Sequence, residues 1–246
     1  MVKNNVHVIS FGAPFNEYKN ARQRLTHLQH FNEVKSITAI SEKDIFQFCP
    51  EISQHKNFLF SNRRGFGYWL WKMFLVKELM NHIPEGEMTF YIDMGCAYNV
   101  NENAKKRFSD YVNYAYEHDA LFLHNQYKEK SWTKMDTYVR IFPNDKSHLE
   151  TFQITGGFQF LKNTPQNKNI INEIIELMIE NNYHNITDAP SIIKNDNTFV
   201  EHRHDQSVKS LIVKKYNLFF IKGEINWQEN WENGRNYPIL ALRFKN

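Results

Sequence analysis

One acidic residue stands where a cation could be bound, near the end of a short apolar stretch. Asp93 falls within Met88–Met94, and Gly95 follows it closely. A carboxylate at such a strand end offers oxygen ligands to Mg²⁺ or Mn²⁺, and a diphosphate could supply further ligands. Gly95 would let that ligand approach the backbone. The alternative is a strand ending in an ordinary turn, where aspartate and glycine are both common.

A second group of polar residues precedes a predicted apolar helix. The run Glu-His-Arg-His-Asp-Gln-Ser occupies residues 201–207. Titratable residues clustered at the end of an element are typical of active sites. Asp205 could act as a base or as an electrostatic stabiliser, with His204 as its partner or as a metal ligand. The alternative is that Asp205 or Ser207 only caps the helix.

Three further segments carry weaker signals. In Asn62–Lys72, glycines before a helix and flanking basic residues could hold an anion, or the segment could be a core helix with aromatic anchors. The paired glycines 156–157 could let a ligand approach a strand that we expect to begin after them, or could form a turn. Lys134 and Asp136 could contact a phosphate or an acceptor, or lie in an exposed loop.

Predicted strands and helices alternate along the chain and would position these residues. Strand-like stretches occur near residues 6–12, 34–40, 88–94, 120–124, 157–161 and 218–221, with helical patterns near 16–31, 68–82, 103–118, 170–181 and 199–215. This alternation predicts an α/β fold with a mainly parallel sheet flanked by helices. Because no linker or repeat is found, we expect a single domain over residues 1–246. Ligands bind beyond the carboxyl ends of such strands, where Gly12, Asp93 and Asn125 stand.

The composition excludes several classes of protein. The chain has 246 residues, a net charge of +3, 15% aromatic residues and two cysteines, Cys49 and Cys96. No apolar run reaches the roughly 18–20 residues of a membrane span. Two cysteines cannot form a disulfide framework, and the charge excess is too small for a strongly basic nucleic-acid binder. The first residues lack the apolar core of a signal peptide. Walker A, Gly-x-Gly-x-x-Gly and Gly-x-Ser-x-Gly patterns are absent, which argues against P-loop, Rossmann dehydrogenase and α/β-hydrolase functions.

Taken in order, five segments resemble those of a group of small bacterial and viral glycosyltransferases with the GT-A fold. The resemblance covers the chain from about Val6 to Tyr216, and the five segments are Arg64–Lys72, Tyr91–Cys96, Thr133–Asp136, Thr155–Phe158 and His202–Ser207. It implies a GT-A-like sheet with a nucleotide-sugar donor bound at the carboxyl ends of the strands.

The resemblance also implies roles for individual residues. Asp93 matches the first acid of the Asp-x-Asp metal motif, with Gly95 in place of the second acid, and implies Mn²⁺ or Mg²⁺ as cofactor. The pair Asp205-Gln206 is similar to an Asp-Gln pair that lies beneath the sugar in some retaining members. We expect Asp205 as the first catalytic residue, Asp136 as the second and His204 as a partner. The expected donor-binding residues are Ser10, Phe11, Gly12, Arg64, Tyr68, Trp71, Lys72, Lys134, Gly156, Gly157 and Gln206.

The expected function is metal-assisted transfer of a hexose or deoxyhexose from a UDP- or dTDP-sugar to a glycan or lipid-linked saccharide. The resemblance and the missing signal peptide imply a cytoplasmic enzyme, with peripheral contact at the inner membrane face as an option and no nucleic-acid partner. The irregular tail 222–246, with Trp227, Trp231, Arg235 and Arg243, could cover the site, bind acceptor or touch a membrane. Two other functions stay open: a sugar nucleotidyltransferase, and a non-catalytic carbohydrate-binding protein.

Overall fold

The computed structural model describes residues 5–224 and 234–242. Its strands are β1 (Val6–Phe11), β2 (Val34–Ile40), β3 (Met88–Ile92), β4 (Ala97–Tyr98), β5 (Ala120–Lys128), β6 (Phe152–Lys162), β7 (Phe220–Lys222) and β8 (Ile239–Leu240). Its helices are α1 (Lys19–Leu25), α2 (Ile45–Phe48), α3 (Lys56–Ser61), α4 (Gly65–Tyr68), α5 (Trp71–His82), α6 (Glu102–Glu117), α7 (Glu129–Trp132), α8 (Met135–Ile141), α9 (Pro165–Tyr183) and α10 (Asp205–Lys215). Short 3₁₀ segments occupy Phe15–Tyr18, Thr26–His30 and Pro50–His55.

Six of the described strands form one sheet in the order β2-β1-β3-β6-β5-β7. Strand β1 pairs in parallel with β2 and β3, and β5 pairs in parallel with β7. Strand β6 runs antiparallel to both of its neighbours, β3 and β5. The predicted α/β fold with a mainly parallel sheet is therefore confirmed, with β6 as the reversed strand. Strands β4 and β8 form a separate antiparallel pair.

Helices cover both faces of the sheet, which accounts for the apolar runs in its strands. Alternate residues of β1 enter different cores: Val8 packs in the cluster that contains Phe108 of α6, and Ile9 in the cluster that contains Phe74 of α5. Helices α9 and α10 complete the second of these cores. Because successive side chains of a strand point to opposite faces, a strand covered on both sides has mostly apolar residues at consecutive positions.

The longer helices begin at side-chain caps. Asn101 accepts a hydrogen bond from the Ala104 amide at 2.9 Å at the start of α6. Thr164 accepts from the Asn167 amide at 3.2 Å at the start of α9, and Pro165 occupies the first position of that helix. These contacts satisfy amide groups that have no partner within the helix.

Two local predictions near the candidate site were wrong in detail, and the alternative of a helix cap at Asp205 or Ser207 is not found either. The paired glycines lie inside β6 and do not precede it, because the strand already begins at Phe152. Residues 65–69 all have positive φ, so they form a left-handed turn and α5 begins only at Trp71. Helix α10 starts at Asp205 without a side-chain cap, and the Ser207 hydroxyl donates to the Trp132 carbonyl at 2.9 Å.

The described part of the C-terminal segment packs against the start of α6. The Asn99 side chain donates to the carbonyls of Gly234 and Tyr237 at 3.0 and 2.8 Å, and β8 pairs with β4. The segment expected to be irregular thus contains a short strand. Of the residues singled out there, Trp227, Trp231 and Arg243 lie outside the described residues. Within the described ranges, we find no helix whose length and hydropathy would suit a membrane span.

Candidate active site

Asp93 follows β3 at the carboxyl edge of the sheet, and its position is fixed from two sides. Its amide donates to the Gly157 carbonyl of β6 at 3.0 Å, and the buried Tyr91 hydroxyl donates to Oδ1 at 2.7 Å. A Cβ atom at position 157 would lie less than 3.0 Å from Asp93 Oδ2, so any other residue there would force this carboxylate to move. The Asp93 side chain is 50% exposed and open to a ligand.

Lys72 of α5 lies between two carboxylates. Its ammonium nitrogen is 2.7 Å from Asp205 Oδ2 and 3.8 Å from Asp93 Oδ1, and it donates to the Gly156 carbonyl at 3.1 Å. The side chains of Lys72 and Asp205 are only 3% and 7% exposed. Burial alone would lower the pKa of Lys72, but Asp205 and Asp93 outweigh it and hold the pKa above its ordinary value. The lysine therefore stays charged and neutralises part of the acidic pair.

Gln206 binds the sheet, and in this structure its amide does not point to an open site. Its Oε1 accepts from the Gly156 amide at 2.9 Å, and its Nε2 donates to Gln153 Oε1 at 2.6 Å. Gln153 in turn donates to the Ser207 hydroxyl at 3.2 Å and to the buried Glu129 carboxylate at 3.2 Å. This buried polar network joins the start of α10 to β6.

His204 has an unusual backbone and a side-chain nitrogen without a partner. Its φ of 54° and ψ of −124° are rare for a residue other than glycine, and such strain costs about 1–3 kcal/mol. Its Nδ1 lies 2.8 Å from the Ile186 carbonyl, so Nδ1 carries the proton and Nε2 keeps a lone pair. Nε2 is buried, lacks a hydrogen-bond partner among the described residues, and lies 3.7 Å from Asp188 Oδ1. Burial lowers the pKa of His204, which favours the neutral ring.

The left-handed turn brings Arg64 and Tyr68 to the same region. Arg64 donates to Asp188 Oδ1 and to Glu201 Oε2, each at 3.1 Å, and the Tyr68 hydroxyl donates to Asp188 Oδ2 at 3.0 Å. The rings of Tyr68 and Trp69 lie 5.0 and 5.4 Å from the His204 ring. These ion pairs are exposed and individually weak, so Arg64 can exchange them for an anionic ligand at little cost.

The residues at the end of β1 line the site mainly through packing. Ser10 is fully buried, and the Phe11 ring packs on the Trp71 ring with centroids 4.1 Å apart. Trp71 Nε1 donates to the Gly65 carbonyl at 3.0 Å and so joins α5 to the left-handed turn. A Cβ atom at Gly12 would overlap the Tyr18 ring. These contacts hold the sheet edge in place, and they leave few side-chain atoms of this group available to a donor.

Lys134 and Asp136 form hydrogen bonds with the segment 184–193. The Lys134 ammonium donates to the carbonyls of His184, Thr187 and Ala189, and burial lowers its pKa to about 8. Asp136 accepts from the amides of residues 192 and 193 at 2.7 Å each and lies 2.8 Å from the His184 ring. Burial opposes ionisation, but these hydrogen bonds lower the pKa of Asp136 to about 2. Lys134 and Asp136 therefore hold the segment 184–193 in place through these contacts.

A divalent cation fits this site only through a single protein carboxylate. In the portion of the chain that the structure describes, no three His, Cys, Asp or Glu residues are grouped so that they could hold a metal ion. Asp93 is half exposed, and its near neighbour Gly95 offers no side-chain ligand. Mg²⁺ commonly uses one or two carboxylates together with water and substrate phosphates. Asp93 fits that pattern when a diphosphate completes the ligand set.

Reasoning from the sequence missed two residues of the site, Lys209 and Asp188, the partner of Arg64 and Tyr68. Lys209 of α10 is buried and donates to the carbonyls of Thr155 and Gly156 at 2.9 and 3.1 Å. It stands four residues after Asp205, which places both side chains on one face of the helix. A lysine within an apolar helical run is the only sequence signal, and it is a weak one.

Comparison with known proteins supports the fold. No protein-family model matches the chain, and no curated protein matches it in sequence. A solved glycosyltransferase involved in glycosylation of the major capsid of PBCV-1 is similar over 97% of this chain and 92% of its own, with 11% identity and a TM-score of 0.53.

Two other solved structures are more distant. Mouse xyloside xylosyltransferase 1 in its apo form has 10% identity, covers 93% of this chain and 89% of its own, and gives a TM-score of 0.49. Core-mannan synthase A of Aspergillus fumigatus, in a Mn/GDP form, has 10% identity, covers 87% and 70%, and gives a TM-score of 0.40. At these identities the likeness concerns the fold alone. The chain therefore has a GT-A-like α/β fold, similar over nearly its whole length to the fold of the solved viral glycosyltransferase.

Proposed function

We propose that the protein is a glycosyltransferase that moves a hexose or deoxyhexose from a nucleotide-diphosphate sugar to a saccharide acceptor. The observation that carries this proposal is the buried Lys72 ammonium between Asp93 and Asp205 at the carboxyl edge of the sheet. Parallel α/β sheets bind ligands at this edge. A half-exposed carboxylate, a buried ion pair and a strand with two glycines occur together there. The Tyr68 ring lies 5.0 Å from the ring of His204, the residue before Asp205.

The donor diphosphate is placed beside Asp93. When the bond between the sugar and the diphosphate breaks, its electron pair leaves with the diphosphate, and negative charge grows on the leaving group. Arg64 can release its exposed partners and bind that charge, and Tyr68 can donate a hydrogen bond to it. Asp93 would hold a Mn²⁺ or Mg²⁺ ion, which supplies charge stabilisation to the diphosphate when it is bound. A UDP- or dTDP-sugar stays the expected donor class.

The sugar ring is placed over Asp205 and Gly156-Gly157. Positive charge develops at the reacting sugar carbon, and the Asp205 carboxylate can stabilise it. Lys72 holds Asp205 at 2.7 Å and so fixes the direction of its oxygens. Gly157 lets the Asp93 carboxylate lie against β6, because any side chain at position 157 would displace that carboxylate.

His204 is assigned to the acceptor hydroxyl. Its Nε2 has a lone pair, no hydrogen-bond partner in the described chain, and an exposed carboxylate, Asp188, at 3.7 Å. During transfer the acceptor oxygen forms its bond to the sugar carbon, and its proton moves to Nε2. Asp188 would then stabilise the imidazolium ring. Asp188 is also paired with Arg64, and this exposed pair can open at little cost when an acceptor binds.

Asp93→Asn tests the donor site. We expect the variant to fold, to lose about 100-fold in turnover, and to lose any metal-dependent increase in melting temperature on adding UDP or dTDP. The assay is release of nucleoside diphosphate from UDP- and dTDP-sugars in the presence of saccharide acceptors. Asp119→Asn is a matched control, because Asp119 is also about half exposed and paired with a lysine, Lys162. Full turnover by a folded Asp93→Asn protein would refute the assignment.

The same experiment separates the two rival functions. A sugar nucleotidyltransferase would release inorganic diphosphate from a nucleoside triphosphate and a sugar phosphate. A non-catalytic carbohydrate-binding protein would bind glycans without any nucleotide-dependent change in melting temperature. Either result with the wild-type protein would refute the proposed function and support the corresponding rival function.

A further inference from the structure

Two buried lysines share one backbone carbonyl beneath the candidate site. Lys72 of α5 and Lys209 of α10 each donate to the Gly156 carbonyl at 3.1 Å, and Lys209 also donates to the Thr155 carbonyl at 2.9 Å. Lys209 is 1% exposed. Lys72 has Asp205 and Asp93 as ion-pair partners, whereas within residues 5–224 and 234–242 no carboxylate lies at ion-pair distance from Lys209.

A lysine in this position is costly to the fold. Burying an ammonium group without an ionic partner is unfavourable, and a second ammonium nearby adds repulsion. Burial and Lys72 lower the pKa of Lys209 to about 7, while Asp205 and Asp93 act in the opposite direction. The Phe122 ring of β5 lies 5.8 Å from its nitrogen. A methionine of similar length would fill the same space without the free-energy cost of burying an ammonium group. We therefore infer that the hydrogen bonds of Lys209 have a role other than packing.

The carbonyls that Lys209 holds belong to the part of β6 that shapes the site. Gly156 carries the carbonyl bound by Lys72, and the next residue, Gly157, packs against the Asp93 carboxylate. The Gly156 amide is held by Gln206, also of α10. Helix α10 thus binds both the amide and the carbonyl of Gly156, through Gln206 and Lys209. The same helix begins with Asp205.

We propose that Lys209 is a positioning residue for sugar transfer, which locks α10 onto β6 and keeps Lys72 directed at Asp205 and Asp93. This role rests on the proposed function. Removing Lys209 frees the Thr155 carbonyl and lets Lys72 turn toward the Gly156 carbonyl and away from the carboxylates. Small displacements of groups around a reacting centre reduce turnover strongly, whereas donor binding depends more on the exposed residues Asp93 and Arg64.

Lys209→Met tests this role in the full chain. We expect kcat to fall about 10- to 100-fold, with the KM for the nucleotide sugar changed less than about threefold. Lys214→Met is the matched control, because Lys214 is a second buried lysine of α10, paired with Glu129 at 2.6 Å. This control is expected to lose stability and to keep the kcat of its folded fraction.

The outcomes are distinct. If Lys209→Met does not fold, Lys209→Gln is measured in its place. The glutamine amide can still donate one hydrogen bond to a β6 carbonyl, so this variant should lower kcat by a smaller factor. A folded variant with unchanged kcat beside an active wild type overturns the role of Lys209 alone. A wild type that consumes no nucleotide sugar overturns the proposed function, and the role of Lys209 with it.

Discussion

Replacing Lys72 with methionine should destabilise the protein strongly. The change removes the ammonium group that neutralises Asp205, whose side chain is only 7% exposed, and part of the charge on Asp93. Breaking a buried pair by removing one partner costs about 3–5 kcal/mol, because the other charge stays in the interior without compensation. For a chain of this length each kcal/mol lowers the melting temperature by about 2–4 °C, so a decrease of roughly 6–20 °C is expected.

A double-mutant cycle measured by urea unfolding tests this reasoning. Lys72→Met combined with Asp205→Asn removes both buried charges. The free energy of unfolding lost by the double variant should therefore be about 1–3 kcal/mol smaller than the sum of the losses in the two single variants. Lys162→Met is the control, since Lys162 and Asp119 form a more exposed pair whose loss costs about 0–1 kcal/mol. A Lys72→Met protein within about 1 kcal/mol of the wild type, or strictly additive changes, would refute the buried-pair account.

Two further predictions concern the neighbours of this pair. Gly157→Ala places a Cβ atom less than 3.0 Å from Asp93 Oδ2 and should lower turnover more than about tenfold. Gly156→Ala places a Cβ atom 3.1 Å from the flexible Gln206 amide and should lower turnover less. Equal effects of the two variants in steady-state kinetics would contradict this geometry. Asp136, with its pKa lowered to about 2, stabilises the fold by roughly 2 kcal/mol above pH 4, and this contribution is lost as the pH falls through about 2. Acid unfolding of Asp136→Asn should therefore show a weaker pH dependence in that range, and an unchanged dependence would show that the hydrogen bonds from residues 192–193 do not matter.

The sheet could be predicted from the sequence because its strands are covered on both faces. Mostly apolar runs such as Val6–Phe11 and Met88–Ile92 are typical of strands that are buried between two layers of helices. The reversal of β6 could not be predicted in the same way, since parallel and antiparallel central strands have the same composition. Glycine is usually taken to interrupt a strand, and the pair inside β6 is retained because Asp93 and Gln206 occupy the space of the missing side chains.

The structure brings together two groups that residue type and position had singled out, Asp93 and the start of α10, on either side of Lys72. Lys72 was expected to bind the donor, but the structure shows its charge already paired with Asp205. The other contacts of the site join segments that are far apart in the chain, and the sequence alone does not show them. Asp136 was expected as a second catalytic residue, and its hydrogen bonds from the amides of residues 192–193 could be seen only in the fold.

The role of Asp205 is tested most directly by turnover and binding measured on the same variant. Wild type and Asp205→Asn would be compared for release of nucleoside diphosphate from a panel of nucleotide sugars with saccharide acceptors, and for affinity for the free nucleoside diphosphate by calorimetry. The account predicts that the wild type consumes one donor class, and that Asp205→Asn loses at least about 100-fold in kcat while binding the nucleotide about as well. Equal turnover by a folded Asp205→Asn protein, or no turnover of any nucleotide sugar by the wild type, would contradict it.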